Sequence, residues 1–134
     1  MKVALQCMAA LLVMGLVVEH AAAEPKTDPR ERLETAIPEA IRLIEAKELV
    51  ALVKNFVAPE DLKKITRDST IEEVAKKFEG KKADRLREAL LAAKEVEPTF
   101  DETGTTATYR FKMPVDGRTT ITFTKVGKLW YIRN

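Results

Sequence analysis

The chain has 134 residues, of which 33% are charged and 46% are hydrophobic, and its formal net charge at pH 7 is +2. This length suits one domain with a modest core. Its only Cys and its only His lie within the first 20 residues. The rest of the chain therefore lacks the usual ligands of zinc and copper and the usual partners of a nucleophilic Ser, so we expect no metal site, no cofactor and no catalytic residue of those kinds.

The N-terminal segment has the layout of a secretory signal. Lys2 precedes an apolar run from Val3 to Val18, and three alanines end the segment at Ala23. We predict that residues 1–23 are a signal peptide, that cleavage falls before Glu24, and that the product is exported to the periplasm or the medium. The alternative is an uncleaved membrane anchor, but the apolar run is shorter than the ~20 residues that span a bilayer. Cleavage would leave a chain without a membrane span and without a disulfide.

Helical signals fill the chain from residue 29 to about 95, after a short lead-in at 24–28. The stretch Asp28 to Glu31 predicts a capped helix start. The Asp28 side chain can accept a hydrogen bond from an amide of the first turn, Pro29 suits that turn, and the Glu31 side chain can accept from the Asp28 amide. Apolar residues at three- and four-residue spacing then continue this helix to Ile44. Pro38 is expected to kink or restart it.

Three more helices and one short helical turn are predicted beyond the joint at Lys47 and Glu48. An apolar set extends to Val57, and Pro59 opens a short helical turn to Ile65. Ser69 and Glu72 predict a capping box for a helix that Gly80 ends. The last segment spans about Lys82 to Glu95, and the total expected is three to four helices.

From Thr99 onward the apolar period changes to two and residues that favour β-structure predominate. Turn signals at Gly104, Asp116-Gly117 and Gly127 divide this part into three to four strands of a meander. The predicted fold class is α+β, with three to four N-terminal helices packed on one face of a three- to four-stranded antiparallel sheet at about 98–134. Residues 29–134 are expected to form this single domain.

The turns also predict the strand register. A three-residue loop from Val115 to Gly117, with Gly117 left-handed, would pair the strands before and after it, and a two-residue loop Val126-Gly127 would pair the last two strands. Trp130 then points into the core and Tyr131 points outward. The expected inner rows are Tyr109–Phe123–Trp130 and Phe111–Ile121–Ile132, with Met113 continuing the same face.

Charge is divided unequally between the two halves of the domain. Residues 105–134 hold six Lys or Arg and one acid, whereas residues 24–104 hold sixteen basic and nineteen acidic residues. The outer face of the sheet is thus a candidate surface for an anionic polymer or protein, or for a homodimer. A solvated face whose cations discourage edge pairing is the alternative.

Modest charge and predicted export argue against nucleic acid as a partner. The candidate partner-binding residues are Arg110, Lys112, Leu129, Tyr131 and Arg133.

Two stretches resemble the nuclear-transport-factor-like (cystatin-like) α+β superfamily. "AIRLIEAKELVALVKNFVAPEDLKKI" (40–65) is similar to its opening helices, and "FTKVGKLWYI" (123–132) is similar to the closing hairpin of its small secreted bacterial members. The chain departs from that pattern by an extra helical segment, Thr70 to Glu95, and by having at most four strands. Enzymes of the superfamily place Asp, Tyr, Arg or His inside a cone-shaped fold, but no such motif can be transferred to this chain.

Two functional hypotheses remain open from the sequence. The first is an exported, non-catalytic helper or binding domain that uses the cationic outer sheet face. The second is a small enzyme or ligand carrier with a pocket between the sheet and the helices, using Tyr109 together with a carboxylate such as Glu95 or Glu97. Tyr109 can equally be an ordinary core aromatic whose hydroxyl is bonded at the rim.

Overall fold

The structure is a computed structural model that describes residues 27–133, so the predicted signal peptide at 1–23 lies outside the described residues. A turn of 3-10 helix and five α-helices precede a four-stranded antiparallel sheet, which confirms the α+β class. The elements are the 3-10 turn Pro29–Glu31, α1 Leu33–Glu45, α2 Leu49–Phe56, α3 Pro59–Ile65, α4 Ile71–Phe78, α5 Lys81–Ala93, β1 Pro98–Phe100, β2 Thr106–Val115, β3 Arg118–Val126 and β4 Leu129–Arg133.

The first predicted helix is divided in two. Asp28 caps the 3-10 turn as expected: its side chain accepts from the Arg30 amide, and its own amide donates to the Glu31 carboxylate. Arg32 is extended (φ −136°, ψ 141°), however, and separates this turn from α1. Pro38 was expected to kink or restart the helix, and the restart is wrong, because α1 runs through that residue. Pro38 is exposed, so water can satisfy the carbonyl that its missing N–H leaves free.

The end of α1 is a Schellman motif built without glycine. Lys47 has a left-handed backbone (φ 61°). Its amide donates to the Ile44 carbonyl at 3.0 Å, and the Glu48 amide donates to the Leu43 carbonyl at 2.8 Å. These two bonds reverse the chain into α2. The joint therefore lies where the sequence predicted it.

The predicted helix cap at Ser69 is off by one residue. Thr70 caps α4 instead, since its hydroxyl accepts from the Glu73 amide at 3.1 Å and its amide donates to the Glu73 carboxylate at 2.8 Å. Ser69–Glu72 and Thr70–Glu73 have the same spacing, so the motif alone could not distinguish them. The short segment Pro59–Ile65 is a helix in its own right, which brings the number of α-helices to five rather than three to four.

The helices cover one face of the sheet. α5 packs on β2 and β3, and α2 packs on β4. Four alanines, each 0% exposed, line the contact between α1 and α5 and allow the two helices to approach closely: Ala36, Ala40, Ala89 and Ala93. The largest fully buried side chains are Phe56, Leu90, Ile121 and Phe123.

The strands follow one another in the order β1-β2-β3-β4, as predicted, but the register differs between β2 and β3. Tyr109 pairs with Ile121 and not with Phe123. The predicted three-residue loop is wrong, because Asp116 and Gly117 both have positive φ (52° and 82°) and form a two-residue turn. An irregularity between Arg110 and Val115 then shifts the pairing of the residues farther from the turn, Thr106 to Arg110, with β3.

The last hairpin is shifted in the same way. Val126 pairs with Leu129, so the turn consists of Gly127 and Lys128, and Trp130 lies opposite Lys125. Where the strands pair regularly, both shifts are by two residues and therefore leave the paired side chains on their predicted faces. Trp130 is 5% exposed, in agreement with its predicted core position. Met113 was expected on the inner face but is 76% exposed, since it lies within the irregular stretch of β2.

Candidate functional site

The side of the sheet turned away from α2 and α5 is called the outer face here. Its residues follow from the pairing of the strands. One row runs Thr99–Thr108–Thr122–Arg133, a second runs Thr106–Thr124–Tyr131, and a third pairs Arg110 with Thr120. Six of these nine residues are threonine, and none is acidic. A face of this kind presents hydroxyl groups that both donate and accept hydrogen bonds, together with guanidinium groups.

The predicted partner-binding residues are only partly brought together on this face. Arg110 and Arg133 are exposed there, and Lys112 is exposed in the irregular part of β2. Leu129 is half-buried at the turn beside Val126. Tyr131 is 8% exposed, so the prediction that its ring is available on the surface is wrong.

The two arginines lie on opposite sides of a threonine-rich strip. Arg110 is on β2 and Arg133 is on β4, so β3 separates them by about 10 Å across the sheet. Thr122 lies between Arg133 and Thr108 in one row, and Thr120 faces Arg110 in the next. A linear ligand laid across the strip could contact both guanidinium groups and the hydroxyls between them.

The ring of Tyr131 is buried and lies against the N-terminal turn. The guanidinium carbon of Arg30 lies 5.7 Å from the centroid of the Tyr131 ring, within cation–π range. The same guanidinium donates to the Asn55 carbonyl at 2.8 Å and to the Asp28 carboxylate at 2.8 Å. These hydrogen bonds from Arg30 hold the pKa of Asp28 below its usual value. Arg30 and Tyr131 lie near opposite ends of the domain and share no periodic pattern, so no feature of the sequence predicted this contact.

Positive charge exceeds negative charge in the part of the chain that forms most of the sheet. Asp116 is the only acid between residues 105 and 134. It pairs with Arg85 of α5, whose Nε lies 2.5 Å from its carboxylate. Lys125 lies on the inner side, with its Nζ 5.8 Å from the centroid of the Trp130 ring. Arg110 and Arg133 are exposed cations of the outer face, and Lys112 is exposed beside them.

Tyr109 has the environment of a core aromatic. It is 5% exposed, and its ring makes an edge-to-face contact with Phe123 at 5.8 Å between centroids. Burial, with the negative charges of Glu34 and Glu97 adding to it, raises the pKa of Tyr109 to about 12. A phenol with so high a pKa stays neutral near pH 7 and is a poor proton acceptor. The second hypothesis required a cavity beside Tyr109 and a carboxylate held away from water, but both Glu95 and Glu97 are exposed.

A groove of about 600 Å³ lies between the α1–α2 joint, α4 and the start of α5, and it was not predicted from the sequence. Its floor is apolar and its rim carries charges of both signs. A smaller hollow of about 360 Å³ lies beside the N-terminal turn and is lined in part by Arg30 and Asn55. Tyr109 borders neither cavity. The larger groove is lined by Ile44, Lys47, Leu49, Val50, Glu72, Ala75, Lys76, Glu79, Gly80, Ala83 and Asp84.

Comparison with protein-family models, curated proteins and solved structures found no match to this chain. The resemblance to the cystatin-like superfamily therefore stays a prediction. Within residues 27–133, no helix has the length and apolar character needed to cross a bilayer. Over the same residues, no three or more Asp, Glu, His or Cys side chains are grouped so that they could hold a metal ion.

Proposed function

We propose that the chain is an exported, non-catalytic binding domain whose outer face binds an acidic polysaccharide. One observation carries this proposal: Arg110 and Arg133 are exposed on either side of a strip of threonines that contains no carboxylate. Export rests on the signal-like layout of residues 1–23.

The chemistry of the outer face matches that of a charged sugar polymer. Guanidinium groups form paired hydrogen bonds with carboxylate and sulfate groups, which favours arginine for such anions. Threonine hydroxyls can donate to and accept from sugar hydroxyls. A polymer with an anionic group on each sugar unit would place successive charges near Arg110 and Arg133 while its hydroxyls meet Thr108, Thr120 and Thr122.

Other anionic partners fit this face less well. A lipid surface is usually bound by an apolar face inserted below basic residues, and the outer face offers threonines instead. Single-stranded nucleic acid is usually held by several aromatic rings on which successive bases stack, and the rows of the outer face contain one, Tyr131. A homodimer through this face would bring like charges together across the interface, which is unfavourable.

A charge-matched pair of variants tests the proposal. The outer-face variant combines Arg110→Ala, Lys112→Ala and Arg133→Ala, and the control combines Lys63→Ala, Lys64→Ala and Lys82→Ala on exposed helical positions. Binding to dextran sulfate and to polygalacturonate is measured by calorimetry at low and at physiological salt. We expect the outer-face variant to lose about tenfold or more in affinity and the control less than about threefold. Both variants lose three positive charges, but only the outer-face variant also loses direct contacts with the polymer.

Two results would overturn this proposal. Equal losses of affinity in the two variants would mean that binding depends only on the net charge of the protein. No binding of either polymer by the wild-type chain at low salt would exclude the acidic-polysaccharide partner. Export is tested separately. The mass of the protein recovered outside the cytoplasm should equal that of a chain that begins at Glu24.

A further inference from the structure

The N-terminal turn is attached to the domain in an unusual way. None of the three residues of the turn Pro29–Glu31 is buried. One side chain, that of Arg30, makes the long-range hydrogen bond, to Asn55, and the aromatic contact, to Tyr131. Arg32 is extended and ends the turn before α1 begins. We call residues 28–31 the strap.

The ring under the strap is separate from the main core. Tyr131 is buried, yet it does not belong to the hydrophobic cluster that contains Trp130 and Tyr109. Its side chain lies on the outer face, in the row with Thr124 and Thr106. Removing the strap would therefore uncover Tyr131 without opening the core.

We propose that the strap opens without unfolding the domain and that opening adds Tyr131 to the polysaccharide-binding outer face. This inference rests on the proposed function. Segments with few buried apolar contacts open at a much lower free-energy cost than the whole fold. A ligand that binds only the open state has its apparent affinity lowered by the fraction of molecules that are open. The strap is thus a built-in restraint on binding.

An uncovered Tyr131 suits this binding face. It would lie two residues from Arg133 on β4 and opposite Thr124 on β3. A tyrosine ring offers a flat apolar surface for the C–H side of a sugar and a hydroxyl for its polar edge. Tyrosine also contributes strongly at interfaces because little conformational entropy is lost when it is ordered.

The substitution Arg30→Ala separates this proposal from simple electrostatics. Loss of a positive charge should weaken binding to a polyanion. If the strap restrains binding, the same substitution should strengthen it, by about three- to tenfold if the closed state predominates. Arg32→Ala is the matched control, because its exposed side chain (71%) meets only Glu34, at 3.8 Å. That control should bind as the wild type does or slightly more weakly.

A second measurement follows the strap itself. Nitration with tetranitromethane, located by peptide mass mapping, reports the accessibility of both tyrosines in one sample. We expect Arg30→Ala to raise the nitration rate of Tyr131 about fivefold or more while Tyr109, in the core, reacts at its wild-type rate. Arg30→Lys keeps the charge but loses the planar fork, and it should give an intermediate rate at Tyr131. It also serves as the test variant if the alanine variant is poorly folded.

The outcomes are distinguishable. Faster nitration of Tyr131 together with tighter dextran sulfate binding in Arg30→Ala supports the inference. Unchanged nitration of Tyr131, or an equal rise at Tyr109, shows that the strap does not open separately and overturns it. Faster nitration with unchanged or weaker binding shows that Tyr131 is not part of the binding face and also overturns it. If neither wild type nor variant binds the polymer, the proposed function fails and the inference about binding fails with it.

Discussion

The guanidinium group of Arg30 joins three parts of the fold that are distant in sequence. It lies 5.7 Å from the centroid of Tyr131 on β4, it donates to the carbonyl of Asn55 in α2, and it pairs with Asp28 in its own turn. The side chain of Arg30 therefore links the N-terminal turn to both α2 and the C-terminal strand. That fastening decides whether the outer face includes an aromatic ring.

Substitution of Arg30 by Ala should lower the free energy of unfolding by about 1–2 kcal/mol. The loss combines a partly desolvated cation–π contact with a hydrogen bond to a backbone carbonyl. Urea unfolding followed by Trp130 fluorescence measures it. Arg32→Ala should stay within about 0.5 kcal/mol of the wild type, as exposed substitutions generally do. An effect of Arg30→Ala as small as that control would show that the contacts of Arg30 are not populated in solution.

Tyr109 should make the stability of the fold sensitive to alkaline pH. Its pKa in the fold is about 12, above the ordinary value of 10.0, so the fold favours the neutral phenol. The stabilisation is complete below pH 10 and is lost progressively as the pH rises from 10 toward 12. Urea midpoints between pH 8 and pH 11.5 should fall more steeply for the wild type than for Tyr109→Phe, which cannot ionise there. Parallel curves would contradict the assigned burial of the phenol.

The sequence predicted the parts of this fold that depend on local patterns. The apolar stripes placed four of the five helices, and the period of two placed the strand faces except at Met113, because both are periodic properties of the chain itself. Register was missed at both hairpins. A turn of two left-handed residues and a turn of three with one left-handed residue are both compatible with Val115-Asp116-Gly117, and the sequence contains no feature that decides between them.

The candidate site was harder to predict than the fold. Exposure of Arg110 and Arg133 followed from alternation alone. Burial of Tyr131 depends on Arg30, a residue that looked like part of an ordinary helix start. The groove beside Lys47 depends on how far α4 lies from α5, a distance that only packing determines. Contacts between segments that are distant in sequence could therefore not be predicted from local patterns.

Lys47→Gly should stabilise the domain by about 0.5–1 kcal/mol. Lys47 occupies the left-handed position of the Schellman motif after α1, where glycine has no steric penalty. The gain should appear as a higher urea midpoint with an unchanged slope. Lys47→Ala, which keeps a Cβ at φ 61°, should give no such gain. If both variants behave alike, the left-handed backbone at this position is not strained.

Asp101 organises the loop that leads into β2, and its replacement by Asn should weaken this hairpin. Its carboxylate accepts from the amides of Thr105 and Thr106 at 3.0 and 3.1 Å and from the Thr103 hydroxyl at 3.1 Å. Desolvation raises the pKa of Asp101, but the hydrogen bonds from Thr106, Thr103 and Thr105 outweigh it, so the net shift is below the usual 3.8.

A lowered pKa in the fold means that the ionised carboxylate stabilises the protein above about pH 4 and that this contribution is lost as the pH falls through the lower, folded-state value. Asp101→Asn should therefore reduce the melting temperature at pH 7 and should flatten the decline in stability between pH 4 and pH 2. Glu102→Gln, an exposed change in the same loop, should alter neither. Calorimetric melting temperatures across that range measure both effects, and a variant curve that stays parallel to the wild type down to pH 2 would exclude Asp101 as the titrating group.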